Sequence, residues 1–221
     1  MAASHLLAIL VQTGVLVAFA VCLILIWTAA TVAVFALAKI KIDKIAIFFG
    51  KPLLVLQTRL CPLSIGSIPL GAYVTRDLKQ FSTYPLTVRC LTILAGPVAV
   101  VLSAAACIGL RETGHETLSA LFQFTQGTLH PFTRGTPLVA GFFAAARESL
   151  VSGYGIFAAK ASALYLVPIP VMPLGEMVLQ LFPKWNDERL IRIISPALSL
   201  IFLPFMISWT LAIGSYFWHL A

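Results

Sequence analysis

Charged residues are scarce in this sequence of 221 residues, of which 10% are charged and 60% are hydrophobic. Soluble domains carry about a quarter charged residues, because their surfaces face water. A chain this poor in charge would expose large apolar patches and aggregate in water, which excludes an ordinary soluble globular protein. The composition therefore predicts a membrane protein whose surroundings are the lipid bilayer.

Clustered cysteines and acidic residues are also lacking. The four cysteines, Cys22, Cys61, Cys90 and Cys107, occur singly, so Cys-x-x-Cys metal and redox motifs are excluded. Eight acidic residues stand against 15 basic ones, for a net charge of +7. The basic residues flank apolar segments instead of alternating with stacking aromatics. They indicate orientation in a bilayer and do not predict nucleic-acid binding.

Long apolar runs are abundant. A helix that crosses the bilayer needs about 20 mainly apolar residues. We therefore predict an all-α polytopic membrane protein with about four transmembrane helices, at about residues 12–37, 91–110, 153–172 and 194–218. The apolar stretch Pro137–Ala146 is too short to span and is expected to be interfacial or re-entrant.

The connection after the first span has a different pattern. Between about residues 45 and 76, β-branched and aromatic residues cluster between glycines and prolines. This pattern is typical of short strands and turns. Backbone groups of strands at membrane depth must be paired and shielded by protein. We therefore predict a small membrane-associated β region here, within a single domain that covers residues 1–221.

The distribution of basic residues predicts the orientation. The segment from Lys39 to Arg89 carries eight basic and two acidic residues, and three more basic residues precede the fourth span, Lys184, Arg189 and Arg192. Basic connections stay in the cytoplasm. We expect an integral multi-pass protein of a bacterial inner membrane, with both termini outside.

Four motifs together resemble the site-2 protease family of intramembrane zinc metalloproteases. They occur in the order and placement of that family: Phe49-Gly50-Lys51, Ile68-Pro69-Leu70-Gly71-Ala72-Tyr73-Val74, Ala95-Gly96-Pro97-Val98-Ala99 and Val167-Pro168-Ile169-Pro170-Val171-Met172. The resemblance implies a core of three helices, a peripheral fourth helix and a β region on the cytoplasmic side. The connection between the second and third spans is too short for the PDZ domain that many members insert.

The resemblance also locates the zinc site. Active members carry His-Glu-x-x-His on the first span, in which both His bind zinc and Glu activates water. Counted back from Phe49-Gly50-Lys51, this motif falls on residues 27–31. Trp27 and Thr31 stand at the two His, and Thr28 stands at the Glu. Neither His nor a carboxylate occurs between Leu6 and Lys39, so no shift of the alignment restores the motif.

The second half of the expected zinc site is replaced as well. In the family, an Asp after the Pro-x-Pro motif completes the zinc shell, and Pro173 stands at that position. An upstream Asn of the family falls at Tyr165. Glu176 follows nearby and is interpreted as a helix-start or interfacial residue. We therefore expect no catalytic residues, no zinc and no other cofactor.

Two other polar features need an interpretation. The segment His115–Ser119 begins like the zinc motif but lacks the second His, and we expect it to lie in a solvated outer loop. Lys160 lies inside the third span, where a charge is costly and usually has a partner. Its side chain either snorkels to an interface or faces the vacated site, with backbone carbonyls or Glu176 holding its charge.

The sequence thus favours a catalytically inactive site-2 protease homologue, a pseudoprotease. It would act as a membrane scaffold or subunit that binds other membrane proteins through transmembrane helices or the β region. Candidate structural or partner-binding residues share the family motifs or lie in the third span: Gly50, Pro69, Gly71, Gly96, Pro97, Lys160, Pro168 and Pro170. Two alternatives are an intramembrane metalloprotease with an unrecognised site and a small transporter.

Overall fold

The computed structural model describes residues 2–58, 61–168, 172–181 and 188–220. Its helices are α1 (Ala2–Leu37), α2 (Leu78–Thr83), α3 (Leu86–Ile108), α4 (Leu110–Leu129), α5 (Thr136–Glu148), α6 (Leu150–Tyr165), α7 (Pro173–Leu181) and α8 (Glu188–Leu220). Its strands are β1 (Ile42–Gln57) and β2 (Pro62–Arg76). A π-helical turn covers Pro131–Gly135. The chain is mostly helical, as predicted, with one small sheet after the first helix.

The chain packs as two compact units. One contains residues 17–100, and the other contains residues 1–16 together with residues 101–221. The first unit holds most of α1, the sheet, α2 and the first part of α3. The second unit holds α4 to α8. The grouping of residues 1–221 into one membrane domain stays a prediction.

Two of the predicted spans coincide with helices suited to a membrane. The stretches His5–Leu37 and Leu86–Ile108 are long and apolar enough to cross a bilayer. They match the predicted spans at 12–37 and 91–110. In the described part of the chain, these are the two helices that meet both conditions.

The third and fourth predicted spans differ in their bounds from helices α6 and α8. Helix α6 has 16 residues and ends at Tyr165, before the predicted end at residue 172. It stops there because a residue that precedes a proline, here Val167 before Pro168, is disfavoured in the helical conformation. The fourth predicted span lies inside the 33-residue helix α8. Four transmembrane helices remain a prediction.

The predicted β region is confirmed, with strands from Ile42 to Arg76. Strands β1 and β2 pair antiparallel, with several register shifts. Ile45 is paired with both Val74 and Leu63, so the first half of β1 lies between two parts of β2. The second half of β1 pairs with the start of β2, from Gln57 opposite Pro62 to Pro52 opposite Gly66.

The bend of β1 lies at the Phe49-Gly50-Lys51 motif. Phe48 and Gly50 have φ angles of 69° and 90°, a region that glycine adopts at little cost. Gly71 in β2 has a φ of 68°, and a Cβ there would lie 2.5 Å from the Phe49 ring. Both motif glycines therefore have a structural role. Pro69 lies in β2, but its side chain is outside the described residues.

A hydrophobic core joins the end of α1 to the sheet and α2. Its buried members include Phe35, Ile42, Cys61 and Phe81. Burial raises the pKa of the Cys61 thiol, although a backbone hydrogen bond with Ile45 lowers it. The thiol therefore stays protonated and packs as a small apolar group.

The segment between the second and third predicted spans is helical, which corrects the expected solvated loop. Helices α4 and α5 occupy it, with Thr113, Thr117 and Ala120 buried along one side of α4. The short apolar stretch Pro137–Ala146 forms most of α5, whose buried residues are Val139, Phe143 and Ala146. Small buried side chains at helical spacing let these helices pack on their neighbours.

Candidate functional site

The position expected for the first zinc ligand holds an aromatic ring. Trp27 on α1 lies against Gly96 on α3, so closely that a Cβ at residue 96 would be 2.3 Å from Trp27 Nε1. Gly96 is therefore the residue that makes room for the indole. Pro97 follows inside α3 and cannot donate the backbone hydrogen bond of a helix interior. The glycine of the Ala-Gly-Pro motif thus makes room for the tryptophan.

The two threonines of the expected motif use their hydroxyl groups within α1. Thr28 Oγ1 donates to the carbonyl of Ile24 at 2.7 Å, and Thr31 Oγ1 donates to the carbonyl of Trp27 at 2.8 Å. Both side chains are buried. Their hydroxyls satisfy themselves by bonding back to the preceding turn, and neither is a ligand type that zinc prefers.

Residues 17–100 offer few other ligands for a metal. This stretch contains no histidine, and its carboxylates are Asp43 and Asp77. Asp43 is exposed on β1. Asp77 Oδ1 accepts the backbone N–H of Gln80 at 3.3 Å and so caps the start of α2. Its cysteines, Cys22, Cys61 and Cys90, belong to no group of possible metal ligands among the described residues. The residues of this unit therefore do not fit a tetrahedral zinc site of nitrogen, sulfur and carboxylate ligands.

The positions expected for the rest of the zinc site lie at helix ends. Tyr165 is the last residue of α6, and Pro173 is the first residue of α7, where a proline costs no helical hydrogen bond. Pro168 is exposed between them, whereas Pro170 lies outside the described residues. Glu176 occupies the first turn of α7, as expected for a helix-start residue.

Lys160 has a defined pair of partners. Its Nζ donates to Gln123 Oε1 at 2.6 Å and lies 2.5 Å from Glu116 Oε2. The side chains of Lys160 and Glu116 are 23% and 18% exposed, so the ion pair is largely withdrawn from solvent. Of the two interpretations of Lys160, the one in which backbone carbonyls or Glu176 hold its charge is wrong. Both partners come from α4.

Close packing between α6 and α4 brings these polar groups together. Helix α6 buries small residues that include Ala158 and Ala159. Small side chains allow two helix backbones to approach closely. Thr117 Oγ1 accordingly reaches across from α4 to the carbonyl of Ala159 at 3.0 Å. This contact fixes the neighbouring Lys160 opposite Glu116.

A cluster of possible metal ligands lies on the same helix. Donor atoms of Glu112, His115 and Glu116 lie within 4.8 Å of one another, one helical turn apart. His115 is 71% exposed at its side chain, and Lys160 already neutralises Glu116. The ammonium group lies against Oε2 of Glu116, and Oε1 lies 4.0 Å from His115 Nδ1. The cluster lies on α4, whereas the resemblance places two of the zinc ligands on α1.

Glu116 and Gln123 were missed as partners of Lys160. They are seven residues apart, which is two turns of an α-helix, so they share one face of α4. That spacing was visible in the sequence, but the polar segment around it was interpreted as a loop. Only the structure shows that this face meets α6.

The family comparison covers most of the chain. The model of Peptidase family M50 matches residues 32–208. The match begins one residue after Thr31, so residues 27–31 lie outside it. No curated protein matches the sequence.

The Trp27–Gly96 contact makes a test of packing. We expect Gly96→Ala to destabilise the protein by about 1–3 kcal/mol, since the added methyl overpacks the indole. The double variant Trp27→Leu, Gly96→Ala should recover most of this loss. Thermal unfolding followed by circular dichroism in detergent measures the stability of the single and the double variant.

The matched control is Gly114→Ala, because a Cβ at Gly114 meets no atom within 4 Å. Equal melting temperatures for the two alanine variants would contradict the close contact.

The Lys160 ion pair makes a second test. Lys160→Met or Glu116→Gln alone should cost about 1–3 kcal/mol, because each leaves a partly buried charge without its partner. The double variant should be more stable than either single variant. A double-mutant cycle from unfolding curves gives the coupling energy. Lys51→Met, at an exposed position of β1, controls for loss of a lysine. Additive effects would show that the pair does not act as a unit.

Proposed function

The chain belongs to peptidase family M50, the site-2 protease family, and from this premise we propose that it is a catalytically inactive member that acts by binding. It holds transmembrane segments of other membrane proteins as a scaffold or as a subunit of a complex. It carries no zinc. Hydrolysis is not part of its function.

The packing of Trp27 against Gly96 carries this proposal. A catalytic zinc site needs three protein ligands and one open position for water. Where the resemblance places two of these ligands and the general base, the chain has Trp27, Thr28 and Thr31. The indole occupies space beside α3, and both threonine hydroxyls are bonded within their own helix. Side chains so engaged leave neither ligands nor room for an activated water.

An exposed apolar edge of the sheet supports binding to a partner. Residues 51–57 of β1 are all exposed, and Leu53 and Val55 are 73% and 55% accessible. One side of this segment pairs with the start of β2, and no other described strand pairs with it. A free edge of this kind can accept an extended segment by strand addition. The β region is therefore the proposed contact with a partner's unwound membrane segment.

Capture of partners tests the proposal. The tagged protein is purified from its own membranes in mild detergent, and co-purifying chains are identified and measured for length. We expect a membrane protein that is recovered intact with the wild type and about tenfold less with Leu53→Lys, since a lysine on a strand edge opposes pairing. Leu118→Lys is the matched control, because Leu118 on α4 is similarly exposed at 67%.

Two results would contradict the proposal that the protein binds partners and does not cleave them. One is a chain that purifies alone from membranes containing all of its natural neighbours. The other is a partner recovered as fragments cut inside its membrane span, which would indicate peptidase activity. Equal losses of the partner with Leu53→Lys and Leu118→Lys would move the contact away from the β region.

We further propose the membrane arrangement. Four spans place both termini outside a bacterial inner membrane and the basic connections in the cytoplasm. Support comes from the two apolar helices His5–Leu37 and Leu86–Ile108, which enclose the basic connection between them. The positive-inside bias of that connection favours the cytoplasmic side.

Reporter fusions test this orientation. Alkaline phosphatase, which is active only outside the cytoplasm, is fused after Gln80, after Ser119 or at the C-terminus. We expect little activity after Gln80 and high activity at the other two positions. An active Gln80 fusion would reverse the orientation. An inactive C-terminal fusion alongside an active Ser119 fusion would change the number of spans.

A further inference from the structure

A cavity lies within the unit formed by residues 1–16 and 101–221. It is lined mainly by α4, α5, α6 and α8 and has a volume of about 450 Å³. Most of its walls are apolar, with Phe142, Phe157 and Ile213 among them. The charged lining residues are Glu116 and Lys160, with the amide of Gln123 beside them. Ligand sites typically combine an apolar wall with a few convergent polar groups in this way.

The volume limits the size of a ligand. A water molecule takes about 30 Å³ in the liquid, and a methylene group is of comparable size. The cavity therefore accommodates on the order of 15 such groups. This matches one alkyl chain of medium length with a small head group. A phospholipid with two long chains is too large to enter whole.

The polar groups favour a particular head group. An ammonium group has three N–H donors, of which Lys160 directs one to Gln123 and one towards Glu116. Glu116 Oε2 is buried and, apart from its ionic contact, accepts no hydrogen bond from the described residues. A hydroxyl group can accept from Lys160 and donate to Glu116 at the same time.

Charge balance argues against a carboxylate head group. Lys160 and Glu116 together are neutral, so a carboxylate head group would bring an uncompensated negative charge into an apolar cavity. Burying a charge without a partner is costly. An uncharged head group avoids this cost. We propose that the cavity binds a neutral single-chain lipid with a hydroxyl head group, which lies beside the Lys160–Glu116 ion pair within hydrogen-bonding reach of both groups.

Two glycines of the chain provide matched variants. Gly141 lines the cavity, and a Cβ there meets no heavy atom within 4 Å. Gly141→Leu therefore adds a bulky side chain at the cavity wall without a clash at its Cβ. A Cβ at Gly114 also meets open space, but Gly114 does not line the cavity. Gly114→Leu makes the same change elsewhere, and both variants gain helix propensity.

Quenching of tryptophan fluorescence measures binding. Trp209 lines the cavity, and a bromine atom on a bound chain quenches a nearby indole. The full chain is placed in phosphatidylcholine nanodiscs, because alkyl glycoside detergents would compete for the cavity. The probes are 12-bromododecan-1-ol and 12-bromododecanoic acid, at about pH 9, where a carboxylic acid is ionised. Trp209→Phe provides the background from the other tryptophans.

We expect saturable quenching of Trp209 by the alcohol, with affinity at least about tenfold higher than for the acid. Gly141→Leu should abolish it, and Gly114→Leu should leave it unchanged. The neutral double variant Lys160→Met, Glu116→Gln should bind the alcohol about tenfold more weakly, because it keeps the apolar walls and loses the ionic partners of the hydroxyl.

Three outcomes would overturn the proposal. Quenching that rises linearly and equally in Gly141→Leu would indicate an adventitious additive only, dissolved in the bilayer. Equal or tighter binding of the acid would refute the argument from charge. Unchanged binding in the Lys160→Met, Glu116→Gln variant would refute the assigned position of the head group.

Discussion

Helix α1 packs the indole of Trp27 against the backbone of α3, and this contact exists only because residue 96 has no side chain. Even a methyl group there would lie 2.3 Å from the indole nitrogen. Interiors are packed too densely to hold both a bulky ring and an open, hydrated metal site in one place. The ring of Trp27 therefore takes up space at the position where the resemblance places the first zinc-binding histidine.

The hydroxyl groups of Thr28 and Thr31 are hydrogen-bonded within α1. A buried hydroxyl must find a hydrogen-bond partner, and those of Thr28 and Thr31 find theirs in the preceding turn of α1. They are satisfied without a metal, a water or a neighbouring helix. The family's fold persists around them, with the bend at Gly50 and the helix that contains Pro97. The surfaces that this fold presents are where we propose that the protein acts.

Much of the architecture was predictable from sequence because local residue types determine it. The strong apolar runs of α1 and α3, and the Gly- and Pro-punctuated strands from Ile42 to Arg76, carry their own signals. Helix α4 carries no such signal in the sequence, because its buried side is formed by small residues such as Thr113 and Ala120. The partners of Lys160 were unpredictable for another reason. Gln123 is 37 residues away in sequence, and only the packing of α6 on α4 brings them together.

The central claim is that the chain has no catalytic metal. Purified protein is incubated with equimolar zinc, separated from free ion and measured for bound metal, for the wild type and His115→Ala. The variant accounts for surface binding at Glu112, His115 and Glu116. Our account predicts far less than one zinc per chain in His115→Ala. One tightly bound zinc per chain that persists in this variant would contradict it.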